Sequence, residues 1–217
     1  MTDIKTGRFF TIAELLGETE TDAAADEDQR SAGPSLAVKT LRHRHLTHRL
    51  FSERAIEETL PCDLHSGDCH HVISGGDVDS LSYLLWILRK QTVPHLLCST
   101  WCISMVDVQE LTRQHELGKI GKLDFYAGEI LPGSYPEEYA ALGELCLKTG
   151  GRIAVFRNHS KVMAGIGTNF SFVIESSANI NTNPRTENTV ITVDHQLAEF
   201  YFTFFSGIKS FDRSFEK

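Results

Sequence analysis

The sequence predicts an α/β protein built on a mixed, largely parallel sheet with helices on both faces. Two observations predict it. From Val72 to Lys148, short β-prone apolar runs alternate with stretches of helical periodicity, the pattern of strands joined by crossover helices. From Arg152 to Val193 the alternation stops and strand-like runs follow one another, which requires an antiparallel component.

Residues 72–76 (VISGG) read as a buried strand closed by a glycine turn. Asp77 or Asp79 is placed to cap a helix over 80–89, where Leu81, Leu84, Leu85, Ile87 and Leu88 recur at helical spacing. A second strand follows Pro94 over 95–100, then a helix over 105–117 and a third strand over 122–127. The helix over 135–148 puts Tyr139, Leu142, Leu145 and Cys146 on one face and is stopped by Gly150 and Gly151. Residues 152–156, 161–164, 170–174 and 189–193 read as strands, and an aromatic-rich helix over 197–208 closes the chain. Gly75, Gly76, Gly165 and Gly167 lack phosphate-loop spacing and read as turns.

A chain of 217 residues is long enough to bury one sizeable core. It has no apolar run of membrane-spanning length and no basic-then-apolar leader, so a cytoplasmic protein with no membrane partner is expected. Five cysteines without framework spacing point to reduced thiols, with Cys98 and Cys102 as buried structural ones. A net charge of −8 excludes a protein that coats nucleic acid over its whole surface, though not one with a local basic site.

The charge is uneven. Residues 18–28 (ETETDAAADED) are acidic and almost free of large apolar side chains, a composition that cannot offset the entropy of ordering. A short Thr-capped helix over 11–16 precedes this linker, and a basic, His-rich helical segment over 39–54 follows it. Residues 1–60 are therefore expected to form a flexible N-terminal region, and residues 61–217 the α/β domain.

The candidate chemistry lies near the end of the chain. His159-Ser160-Lys161 is followed by Ser176-Ser177-Ala178-Asn179 and then by Glu187, each placed beside a strand-like run. An imidazole, a fixed cation, a neutral amide and a carboxylate suffice for metal-free attack on a phosphodiester. The imidazole attacks phosphorus, the ammonium and amide hold the non-bridging oxygens, and the carboxylate fixes the imidazole tautomer. Ligand sites of open α/β sheets lie at strand ends, where these residues fall. Arg152, Arg157, Lys161 and Arg185 gather positive charge around them, a local funnel for a polyanion backbone.

The order His-x-Lys, small-small-x-Asn and Asn-x-x-x-Glu resembles the phospholipase D superfamily, over roughly residues 70–210. The resemblance implies a phospholipase D-like fold, no metal or other cofactor, and His159 as a nucleophile that becomes a phosphohistidine. It implies that Lys161 and Asn179 hold phosphate oxygens, that Ser177 lines the same pocket, and that Glu187 orients His159; from the charge pattern, Arg157 and Arg185 are expected to bind substrate. The motif occurs once, and single-motif members complete the site by pairing two subunits, so a homodimer is implied. The family pattern has an Asp five residues after the Lys, where this chain has Ile166. Either that Asp is dispensable to catalysis or the site has decayed to phosphate binding. An Ile there is expected to dry the pocket floor, with Glu175 the nearest acid in sequence to stand in.

The resemblance thus implies a metal-independent phosphodiesterase or nuclease, or a binder of the nucleic-acid backbone, with DNA favoured over RNA. Chains of this type also resemble proteins of Mu-like prophages, which fits DNA work. A non-enzymatic interaction protein is the alternative from another class, and a lipid or small-phosphodiester hydrolase a third. The cluster Cys62, His65, Cys69, His70 and His71 offers zinc-ligand side chains, but not at finger or ribbon spacing, and reads as a polar loop.

Overall fold

The computed structural model describes residues 49, 52–76, 78–180, 185–212, 214 and 215. The expected helix over 11–16, the acidic linker, most of the basic segment and Asp77 lie outside them. After helix α1 (52–59) come strand β1 (Cys69–Ser74), helix α2 (Ser80–Lys90), β2 (Val93–Thr100), α3 (Met105–Glu116) and β3 (Ile120–Gly128). A one-turn helix α4 (Leu131–Ser134), invisible in the sequence pattern, leads into α5 (Pro136–Lys148). Strands β4 (Ile153–Phe156), β5 (Val162–Ile166), β6 (Ser171–Ser176) and β7 (Glu187–Thr192) follow, then α6 (His195–Ser206).

The seven strands form one mixed sheet in the order β1-β7-β6-β5-β2-β3-β4. Helices cover both faces, as the sequence predicts. The balance of directions differs from the expectation: only β2–β3 and β3–β4 pair in parallel, and the other four pairings are antiparallel. The reason is β1. Its helix α2 does not return the chain to a parallel neighbour; β1 lies at the far edge, antiparallel to β7. It is also not a buried strand. Its exposure alternates and Ile73 stands 78% exposed, as befits an edge.

Strand alternation divides the core between the two faces. Leu96 and Cys98 of β2, Leu123 and Phe125 of β3 and Met163 of β5 face α2, α3 and α5. Leu97, Tyr126, Val162, Ala164 and Val173 face α6 with its Ala198 and Phe205. Helix α2 is buried from Ser80 to Leu88, because α1 lies over its outer side through Ile56 and through Glu53 and Glu57, which pair with Arg89. Asp79, not Asp77, is the described cap, accepting from the Ser82 amide at 2.7 Å. Helix α6 starts two residues before the expected point, because Asp194 caps it through the Leu197 amide. Gly150, at φ +73°, ends α5 in the left-handed conformation, as expected. Gly165 lies inside β5 instead of in a turn, opposite Phe172 of β6.

Arg49 and α1 fall within the stretch assigned from sequence to the N-terminal region, yet they pack on the domain. Arg49 pairs with Asp107 and, at 3.5 Å, with Asp79; both carboxylates are almost fully buried. Burial raises the Asp107 carboxyl above its ordinary value, Asp79 adds to the rise, and Ser104 and Arg49 oppose it. Removing the guanidinium would leave two buried carboxylates facing each other, a loss of about 3–5 kcal/mol. Deleting 1–60 or making Arg49→Ala should therefore lower the thermal midpoint sharply in calorimetry.

Candidate functional site

The strand directions bring one set of ends together. The C-terminal ends of β2, β3, β4 and β6 lie on the same edge of the sheet as the N-terminal ends of β5 and β7. His159 and Lys161 lie in the loop that carries the chain from the edge strand β4 across β3 and β2 to the centre. Ser177 and Asn179 follow β6, and Glu187 opens β7.

A residue not singled out from sequence fixes the loop. Asn158 is 4% exposed, and its Nδ2 donates to Ser99 Oγ at 3.0 Å and to the backbone oxygens of Tyr126 at 2.9 Å and Thr100 at 3.4 Å. Its Oδ1 accepts from the Ser160 amide at 3.0 Å and the Ser160 hydroxyl at 2.7 Å. Backbone oxygens only accept, so the amide has one satisfactory orientation. Ser99 and Ser160 lie 2.7 Å apart and close a ring of donors and acceptors with Asn158. The available signal was Ser99-Thr100 at a predicted strand end together with an Asn just before His-x-Lys.

Lys161 folds back on its neighbour. Its Nζ donates to the His159 backbone oxygen at 2.7 Å and lies 3.0 Å from Nδ1 and 3.4 Å from Nε2 of the same imidazole. Burial lowers the Lys161 ammonium from its ordinary value, and Cys102 and Glu187 partly restore it. Burial raises the Cys102 thiol, with the charge of Lys161 opposing. Ser177 donates to the Glu187 carboxylate and accepts from the Asn188 amide at 3.0 Å. The single proton of the Thr100 hydroxyl is shared between Cys102 O at 3.0 Å and Asn179 Oδ1 at 3.3 Å. Ser80, at the start of α2, holds the Ala178 oxygen at 3.1 Å, which anchors the turn that carries Asn179.

His159 is exposed, and its ring lies 5.9 Å from that of Trp101, centroid to centroid. Arg157 and Arg185 are exposed on the loops beside it and make no ion pair among the described residues. Arg152 does not belong to this set. It precedes β4, at the opposite end of that strand from Arg157, and donates to the oxygens of Ser206 and Ile208 at the C-terminus of α6.

No family profile matches the sequence, and no curated protein matches it. Solved structures resemble it in part. Polyphosphate kinase from Porphyromonas gingivalis is 12% identical with a TM-score of 0.49, over 64% of this chain and 25% of that one. NucT from Helicobacter pylori is 13% identical with a TM-score of 0.47, over 64% and 94%. The archaeal chromatin protein TrmBL2 is 10% identical with a TM-score of 0.46, over 78% and 62%. The chain thus spans a quarter of the kinase and under two thirds of TrmBL2. These are likenesses of chain path; the chemistry of the site rests on its own residues.

The expectation that Ile166 floors the pocket is overturned. Lys161 immediately precedes β5 and Ile166 ends it, so about 16 Å of strand separates them. Ile166 instead pairs in register with His95 and packs beneath α6. His95 is held by Asp124 at 2.7 Å, and the Phe202 ring lies tilted against it, 4.3 Å between centroids. Burial alone would raise the Asp124 carboxyl, but hydrogen bonds from His95 and Lys122 outweigh it and hold the carboxyl low. Glu175 does not stand in at the site either. Alternation turns it toward α6, where it accepts from the Tyr201 hydroxyl at 2.5 Å. Among the described residues no three His, Cys, Asp or Glu side chains converge to hold a metal, the Cys62–His71 stretch included. No described helix is long and apolar enough to cross a membrane.

Asn158→Ala should lower stability by about 2–3 kcal/mol in denaturant unfolding, since it strands buried acceptors and Ser160. An unchanged midpoint would show that the loop is held by something else. Ile166→Asp should leave any activity of the site unaltered and change thermal stability instead, because the new carboxylate faces His95 and Asp124.

Proposed function

We propose that this edge of the sheet binds a phosphodiester of nucleic acid, DNA in preference to RNA, and cleaves it without metal in a phospholipase D-like manner across a homodimer. The observation that carries the reading is the convergence of His159, Lys161, Ser177, Asn179 and Glu187 on one sheet edge, with the loop of His159 and Lys161 held by the Asn158 ring. Arg157 and Arg185, without an ion pair among the described residues, supply charge for the phosphates on either side.

In this mechanism a phosphate oxygen draws the Lys161 ammonium away from the imidazole. The ring is then able to turn toward Glu187, which holds the proton on the non-attacking nitrogen. The attacking nitrogen of His159 forms a bond to phosphorus, and the bond from phosphorus to the leaving oxygen breaks. That oxygen takes a proton from His159 of the partner subunit. Water then attacks the phosphohistidine, giving its proton back to the partner's His159 and returning His159 to its resting state. Lys161 and the Asn179 amide stabilise the charge gathered on the non-bridging oxygens.

A second reading, phosphate-backbone binding without turnover, is favoured by one feature. At rest Glu187 bonds Ser177 and acts on Lys161, while the imidazole contacts Lys161 and Trp101.

Labelled single- and double-stranded DNA and RNA, incubated in EDTA, separate the readings. Cleavage that His159→Ala abolishes supports the enzyme; binding alone supports the binder; neither leaves an interaction protein. A monomer in sedimentation at micromolar concentration would remove the shared-site mechanism. Lys161→Ala should weaken binding to all sequences and flatten the salt dependence by about 0.7–0.9 of a slope unit. The Lys161 contribution needs the charged ammonium, so it is present at low pH and is lost, as pH rises, below the range of an ordinary lysine. Lys161→Arg should erase that alkaline limb.

A further inference from the structure

We infer that Trp101 is a stacking platform for an unpaired base, so that the site takes single-stranded nucleic acid in preference to duplex. This rests on the phosphodiester reading above and adds to it. Trp101 directly follows the last residue of β2, is only half buried, and stands beside the His159 ring. Its seat is built into the fold. A Cβ on Gly128, at the end of β3, would lie 2.6 Å from Trp101 Cδ1 and 2.7 Å from its backbone oxygen. The indole therefore rests where only glycine leaves room, at the same edge as the phosphate-binding groups. The indole N–H has no hydrogen-bond partner among the described residues and is not sealed from solvent, so the half-buried ring keeps an unspent donor at the surface.

A large aromatic surface left half exposed next to a nucleophile is unnecessary for holding phosphate, which ammonium, amide and guanidinium groups do. It suits the group attached to the phosphate. Every base has a π-face, and stacking on an aromatic side chain is sequence-tolerant. In a duplex those faces are already stacked on their neighbours, so the platform discriminates by strandedness and not by sequence. The other chemistry that favours an indole face is a quaternary ammonium, as in a choline phosphodiester.

The chain has two tryptophans, and Trp86 is 2% exposed, so quenching by a ligand reports Trp101 against a buried reference. Full-length protein is titrated with a single-stranded oligodeoxynucleotide, an abasic strand with the same number of phosphates, the duplex, and phosphocholine vesicles. The single strand is expected to quench fluorescence and to bind roughly five- to a hundredfold tighter than the abasic strand. Read by anisotropy of dye-labelled strands, since these variants lack the fluorescent reporter, Trp101→Leu should erase that difference and Trp101→Phe should keep most of it, the latter guarding against a folding defect in the former. Equal binding of abasic and normal strands, or a preference that survives in Trp101→Leu, overturns the inference. Quenching by phosphocholine vesicles alone overturns it as well. Lys161→Ala separates the two claims. If it weakens the abasic strand and the normal strand alike while Trp101→Leu changes neither, phosphate binding stands and stacking falls; if it weakens neither, the phosphate reading falls.

Discussion

The carboxamide of Asn158 is buried where three strands end, and the geometry of the candidate site depends on how it spends its hydrogen bonds. Its two protons go to β2 and β3, and its oxygen takes both donors of Ser160. A loop that crosses two strands on its way from β4 to β5 would otherwise leave polar backbone stranded at the sheet edge. With the amide in place, His159 and Lys161 on either side of Ser160 are held facing solvent. Side chains on a loop gain the precision of the sheet beneath them only through such a tie.

Lys161 shows how a half-buried environment sets a resting state. Partial burial costs the ammonium hydration, and Glu187 and Cys102 return part of it. The nearest dense acceptors are the His159 oxygen and ring, so the lysine rests on the residue it would serve. A phosphodiester, whose charge lies on two non-bridging oxygens, would offer the ammonium a stronger partner than a carbonyl and an imidazole. On the phosphodiester reading proposed above, binding and unmasking of the imidazole would be one event.

The opposite end of β5 has its own logic. Ile166, His95, Asp124 and Phe202 form a half-buried cluster under α6 that joins sheet to helix, far from the imidazole. The motif position occupied by Ile166 bears on packing there. Its chemistry is therefore separable from that of the site, and an apolar residue is at home beside an aromatic helix.

Much was legible in the sequence because it is written in local periodicity. Helical spacing in 80–89, the cap before it, Gly150 after α5 and the class of the sheet all follow from short-range sterics and hydrogen bonding. So does the grouping of His159, Lys161, Ser177, Asn179 and Glu187 near strand ends. Strand direction was not legible, because it depends on which edges meet, and the helix after β1 looked like a crossover until β7 took that strand as its antiparallel neighbour. Nor could spacing reveal that Arg152 faces the far end of β4, that Glu175 belongs to Tyr201, or that Trp101 seats on Gly128. Those contacts join residues from 26 to 56 positions apart in the chain. Sequence by itself determined the elements and the polar residues that end them; only the closed sheet decided which of those residues share an edge, since that is set by the mutual burial of two faces and not by any one segment.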